Sequence, residues 1–171
     1  VWNMATTKES KWVAKFIKAG NESNSEWVMR EEMQQYREVL EVFGEDLLPE
    51  QVSVKLRDKQ TPVLLQEKLD LTEWRPMGSF YQGVYEELQE SLSSHPDNPA
   101  ILKSFLDNVT LLESTKGLVL DFSGDNVVFQ IDAQGRLAIK IIDYGCTKLA
   151  SEEPQRLEYL HSHADKLREF I

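Results

Sequence analysis

The sequence of 171 residues holds a single cysteine, Cys146, so no internal disulfide can form and a cytoplasmic location is expected. No apolar run approaches the length that crosses a membrane. The first residues, Val1-Trp2-Asn3-Met4-Ala5-Thr6, show no basic segment followed by an apolar one, so no signal peptide is expected. Positive charge is scarce: 19 Lys and Arg stand against 29 Asp and Glu, a net charge of −10. That balance argues against tracking nucleic acid phosphates or an anionic membrane surface, and neither partner is expected. It leaves room for a nucleotide site, which needs only a few local cations and a divalent metal. Internal repeats and low-complexity linkers are also missing. What is present is globular material, 41% apolar and 28% charged, long enough for a real core.

Periodicity divides the chain into a strand, a helix, two strands, two helices, a hairpin and a last helix, an α+β order. Lys11 to Ile17 alternates as a strand. Ser25 is placed to cap a helix that ends at Gly44, with Val28, Tyr36, Val39, Leu40 and Phe43 on its apolar face. Val52 to Leu56 and Val63 to Lys68 read as strands joined by the polar Arg57-Asp58-Lys59-Gln60. Ser79 with Gln82 forms a capping-box pattern for a helix that buries Phe80, Tyr81, Val84, Tyr85, Leu88 and Leu92. Asn98-Pro99 reads as a cap and first residue of another helix, ended by Gly117. Val127 to Ile131 and Leu137 to Ile142 flank a loop with Gly135 late in it, as hairpins prefer. Ser151 to Phe170 reads as an amphipathic helix with Leu157, Leu160, Ala164 and Leu167 inward.

Three polar groups stand where a reason is needed. If the last hairpin closes with Val127 opposite Ile141, Asn126 and Asp143 meet at its open end, and Asp121 lies on the loop just before. Carboxylate and amide oxygens are what a hard cation such as Mg²⁺ takes as ligands, although Asp beside glycine also caps turns. Glu32 is four residues from both Val28 and Tyr36, on the apolar face of its helix, where it either meets a cation or reaches solvent at the stripe's edge. Lys15 shares a strand face with Val13 and Ile17, and Lys18 is the better placed of the two lysines for water.

These sites, in this order, resemble the protein kinase-like superfamily, most closely its aminoglycoside phosphotransferase and choline kinase branch. The family's pattern is Asp-x-x-x-x-Asn, a strand hairpin, then Asp-aromatic-Gly. Asp121 to Asn126 and Asp143-Tyr144-Gly145 match it. The resemblance implies a kinase-like fold. A small N-terminal antiparallel sheet with one packed helix (1–70) would join a reduced, mostly helical C-terminal lobe carrying a β-hairpin (71–171). It implies an ATP- and Mg²⁺-dependent phosphotransferase acting on a hydroxyl of a small molecule or a protein. Asp121 would be the catalytic base, and Asn126 and Asp143 would hold Mg²⁺. Lys15 would hold the α- and β-phosphates and pair with Glu32. Leu65-Gln66-Glu67-Lys68-Leu69 would be the hinge reading adenine, with Gln66, Glu67 and Leu69 as its contacts.

The sequence departs from the family's pattern in three ways. No glycine precedes Gly20, Val119 stands where a histidine is usual, and little chain follows Gly145. Either a fragment or a reduced kinase-like protein is therefore expected, with a nucleotide-binding or interaction module without catalysis as the alternative, and a protein partner completing the cleft as a further possibility. His161-Ser162-His163 is a poor metal pair, since helical residues two apart point in different directions. Cys146 reads as a small buried residue. Trp12, Trp27 and Trp74 read as core or edge packing, and Glu86, Glu87 and Glu90 as a solvated helix face.

Overall fold

Nine strands and four α-helices form among residues 2–5, 10–17, 25–55, 62–70, 72–78, 82–142 and 145–171, those that the computed structural model describes. The class is α+β, with small antiparallel sheets. No helix among them is long and apolar enough to cross a membrane. The chain divides into two compact units, residues 1–37 with 49–70, and residues 38–48 with 71–171.

In the first unit, β1 (Trp2–Ala5), β2 (Trp12–Ile17), β3 (Gln51–Lys55) and β4 (Pro62–Glu67) form one sheet in the order β1-β2-β4-β3. The alternating run WVAKFI forms β2, which lies between β1 and β4. Lys15 is registered against Met4 on one side and Leu64 on the other. β1 is an addition to the sequence reading, which starts its strands at Lys11. Helix α1 (Ser25–Phe43) follows β2, as expected. Gly44 closes it with φ 80° and donates its N–H to the Leu40 carbonyl at 2.8 Å, a conformation that glycine adopts without a steric cost. Met29 and Tyr36 are buried on its inner face, and Val28 is only half-buried. Tyr36 donates its hydroxyl to the Pro49 carbonyl at 3.3 Å, and Lys55 pairs with Glu26 at 2.7 Å, so both ends of β3 are linked to α1. The expected turn Arg57–Gln60 lies outside the described residues, as do Gly20 and Lys18.

The second unit is built on α3 (Asn98–Lys116). Its Leu102, Phe105, Leu106, Val109 and Leu112 recur at helical spacing and are all buried. Gly117 ends it at φ 64°, donating to the Glu113 carbonyl at 3.0 Å. Helix α2 (Gln82–Ser94) packs beside it, burying Leu88 and Leu92. Its expected opening residues, Ser79, Phe80 and Tyr81, lie outside the described residues. Three strands, β5 (Arg75–Pro76), β7 (Val127–Ile131) and β8 (Leu137–Ile141), pair in the order β5-β7-β8. Two short ones, β6 (Leu118–Leu120) and β9 (Cys146–Lys148), pair with each other. Helix α4 (Pro154–Arg168) closes the unit, burying Leu160, His163, Ala164 and Leu167. Leu157, expected inward, is half-buried.

Asn98 departs from its expected part. The N-cap of α3 is Asp97, and Asn98 is the helix's first residue, fully buried. Its Nδ2 donates to the carbonyls of Ser91 at 2.7 Å and Gly135 at 2.8 Å, while Oδ1 accepts the Leu137 N–H at 2.8 Å. The residue thus pins the α2–α3 corner to the tip of the β7–β8 hairpin. An Asn-Pro pair favours a helix start for local reasons, and here long-range bonding claims the amide instead. Replacing Asn98 with alanine leaves a buried Leu137 N–H without its acceptor. A loss of roughly 2–3 kcal/mol is expected, read as a lower urea midpoint at unchanged slope.

Candidate functional site

Two ladders bring two loops of the second unit side by side. Leu120 is registered against Cys146 in the β6–β9 pair, and Val127 against Ile141 in the β7–β8 pair, as the hairpin reading expects. The segments 121–126 and 142–145 therefore leave paired strands at both ends. They also bond directly. The Asp121 N–H donates to the Gly145 carbonyl at 2.8 Å, and the Ile142 N–H to the Asn126 carbonyl at 2.8 Å. Asn126 is thus opposite Ile142, one position before the Asp143 expected beside it. Asp143 and Tyr144 themselves lie outside the described residues.

Gly145 makes this approach possible. A Cβ there would stand 2.8 Å from Asn126 Nδ2 and 3.5 Å from the Asp121 Cβ. The first distance is below van der Waals contact, so the missing side chain is the space that the Asn126 amide uses. Asp121, Asn126 and the glycine of the Asp-aromatic-Gly motif therefore converge.

Both carboxylate oxygens of Asp121 have partners. Oδ1 accepts the Ser123 N–H at 2.7 Å, the turn-capping geometry open to Asp beside glycine. Oδ2 accepts from Arg156 Nη2 at 2.8 Å, from the first turn of α4. The Asp121 side chain is 15% exposed and that of Arg156 45%. The guanidinium also lies over the Tyr159 ring, 5.3 Å from its centroid. Sequence reasoning passed over Arg156. It is separated from Asp121 by 35 positions, and no local pattern marks an arginine that finds its partner through tertiary packing.

The remaining expected residues belong to the first unit. Lys15 is buried, 5% exposed, in an interior strand. A lysine head group at such a position has given up most of its water and needs polar company. Glu32 is half-buried on α1, between the buried Met29 and Tyr36. Gln66 is buried and its Oε1 accepts from Gln51 Nε2 at 2.9 Å. Glu67 is exposed and Leu69 half-buried. The N–H groups of Glu67 and Lys68 donate to the carbonyls of Glu50 at 2.8 Å and Lys11 at 2.7 Å. Those two donors are spent within the protein.

The histidines separate as their spacing requires. His161 Nε2 lies 3.1 Å from Glu113 Oε2 on the flank of α3, while His163 is fully buried, its ring stacked on Phe122. Cys146 is half-buried in β9. Trp12 and Trp74 are half-buried, but Trp27 is 62% exposed and packs no core. Glu86, Glu87 and Glu90 are exposed, as expected. Among the described residues no three His, Cys, Asp or Glu side chains form a metal-holding group. Two open grooves of about 680 and 630 Å³ run along α4, and neither is lined by Asp121, Asn126 or Gly145. No family model and no curated protein matches the chain.

Proposed function

We propose that the chain is a kinase-like phosphotransferase, using ATP and Mg²⁺ to transfer the γ-phosphoryl group to a hydroxyl of a small molecule or a protein. The observation that carries this reading is the convergence of Asp121, Asn126 and Gly145, two loops bonded to each other where apolar strands end. The burial of Lys15 inside a four-stranded antiparallel sheet, with α1 following its strand, is in keeping with it.

In this reading Asp121 orients the acceptor hydroxyl and takes its proton. Asn126 has an amide oxygen, a ligand type that Mg²⁺ accepts, and with Asp143 would hold the ion. When bound, Mg²⁺ neutralises charge on the β- and γ-phosphates. Lys15 would hold the α- and β-phosphates, with Glu32 positioning it, and Gln66, Glu67 and Leu69 lie along the stretch that would meet adenine. With two N–H groups of that stretch already bonded, adenine recognition falls to its remaining backbone groups.

A thermal-shift titration tests the binding half. With Mg²⁺-ATP at a hundredfold excess over the dissociation constant, apparent stability is expected to rise by about 2.7 kcal/mol. The rise should vanish in Asp143→Ala. No shift at millimolar Mg²⁺-ATP would remove the reading, and a shift that survives Asp143→Ala would remove the metal assignment.

A second reading, a nucleotide-binding or interaction module without catalysis, is favoured by one observation: both oxygens of Asp121 are engaged by the protein itself. Binding of Mg²⁺-ATP with no turnover, with or without added hydroxyl acceptors, would select it.

A further inference from the structure

A base must offer an oxygen to the proton it takes. An acceptor hydroxyl approaches a carboxylate oxygen to about 2.7 Å. At Asp121 that approach is contested, because Arg156 Nη2 stands 2.8 Å from Oδ2 and the Ser123 N–H holds Oδ1. We infer that Arg156 is an inhibitory latch on Asp121, occupying in the resting protein the oxygen that receives the acceptor's proton. The inference rests on the phosphotransferase reading above and adds a regulatory contact to the same site.

Three features suit a latch better than a fixed brace. Arg156 is nearly half exposed, so its guanidinium is rehydrated on release and the exchange is nearly balanced. It already lies over the Tyr159 ring, which is itself 41% exposed and can keep the cation after Asp121 lets go. Oδ1 is held by the Ser123 N–H independently of Arg156, so the carboxylate keeps its aim when Oδ2 is freed. The contact also joins two elements far apart in sequence, the loop after β6 and the first turn of α4. Anything that draws the start of α4 aside, or offers the guanidinium another anion, would open the site.

The step that the latch restrains is a balanced transfer. The acceptor oxygen forms a bond to the γ-phosphorus, and the bond from that phosphorus to the β,γ-bridging oxygen breaks. Its electron pair leaves on ADP, and the hydroxyl proton passes to Asp121 Oδ2. ATP and an alcohol become ADP, a phosphate ester and a proton. With water as acceptor the ester is replaced by inorganic phosphate.

Water is therefore the probe: Mg²⁺-ATP hydrolysis by the full chain, followed as phosphate release. Arg156→Gln is expected to raise kcat roughly fivefold, the rate equivalent of removing one partly exposed ion pair, with KM for ATP unchanged. Arg156→Lys, which retains a cation, should stay near the parental rate. Asp121→Asn should cut hydrolysis by about 10²–10⁴-fold in both backgrounds. An unchanged or lower kcat in Arg156→Gln overturns the latch and leaves the phosphotransferase reading standing. Absence of both Mg²⁺-ATP binding and hydrolysis in every variant removes the reading, and the latch with it.

Discussion

Asp121→Asn is expected, on the phosphotransferase reading proposed above, to lower phosphoryl transfer by about 10²–10⁴-fold, the usual contribution of a positioned general base. The amide keeps an oxygen for the Ser123 N–H, so the loop between β6 and β7 keeps its turn. It loses the charge that pairs with Arg156, whose side chain is nearly half exposed, so the contact contributes little to stability. The melting temperature should therefore stay within a few degrees of the parental value while turnover collapses. Steady-state kinetics beside a melting curve separate the two. The loss should fall on kcat, with KM for ATP nearly constant, because Asp121 is assigned to the acceptor and not to the nucleotide. A variant that retains most of its turnover would remove Asp121 from the chemistry, and a variant that unfolds would make the residue structural.

Gly78→Ala is expected to cost more than about 3 kcal/mol. A Cβ at position 78 would overlap the carbonyl oxygen of Phe122 and come within 2.5 Å of its carbonyl carbon. No side-chain rotation relieves a clash with backbone. Phe122 is itself fixed, buried between Phe105, whose ring centroid is 6.1 Å away, and His163 at 6.3 Å. The Gly78 carbonyl also lies 3.2 Å from His163 Nε2, so a shift of either strand end disturbs α4. Chemical denaturation reads the loss as a lower midpoint. Phe122 directly follows Asp121, so on the phosphotransferase reading any variant protein that still folds should also show impaired turnover. Near-parental stability in Gly78→Ala would mean that the two backbones do not meet this closely.

Much of this arrangement is legible in the sequence wherever a pattern is local and long. The β7–β8 register follows from two apolar runs placed around Gly135, whose φ of 79° the loop requires. The end of α1 follows from Gly44, and the buried stripe of α3 from its spacing. Other features arise only from tertiary contact. β1, β6 and β9 are three or four residues long, too short for periodicity to mark. Asn98 reads as a cap because Asn-Pro usually starts helices, and its long-range bonds leave no local trace. At the candidate site the sequence places Asp121 and Asn126 at loop ends, but neither the room left by Gly145 nor the hold of Arg156 is visible without coordinates.

The two ladders that flank the loops carry a consequence for length. The β6–β9 pair fixes where residue 121 begins, and the β7–β8 pair fixes where residue 126 ends. A five-step separation between the carboxylate and the amide is thus a span between two anchored posts, not a free parameter. One residue more or fewer in that stretch would either re-route the loop, displacing the two side chains, or slip a strand. Such a slip turns every buried side chain of that strand toward the opposite face. The interval between these two side chains is therefore protected by the core beneath them, whatever chemistry is performed above it.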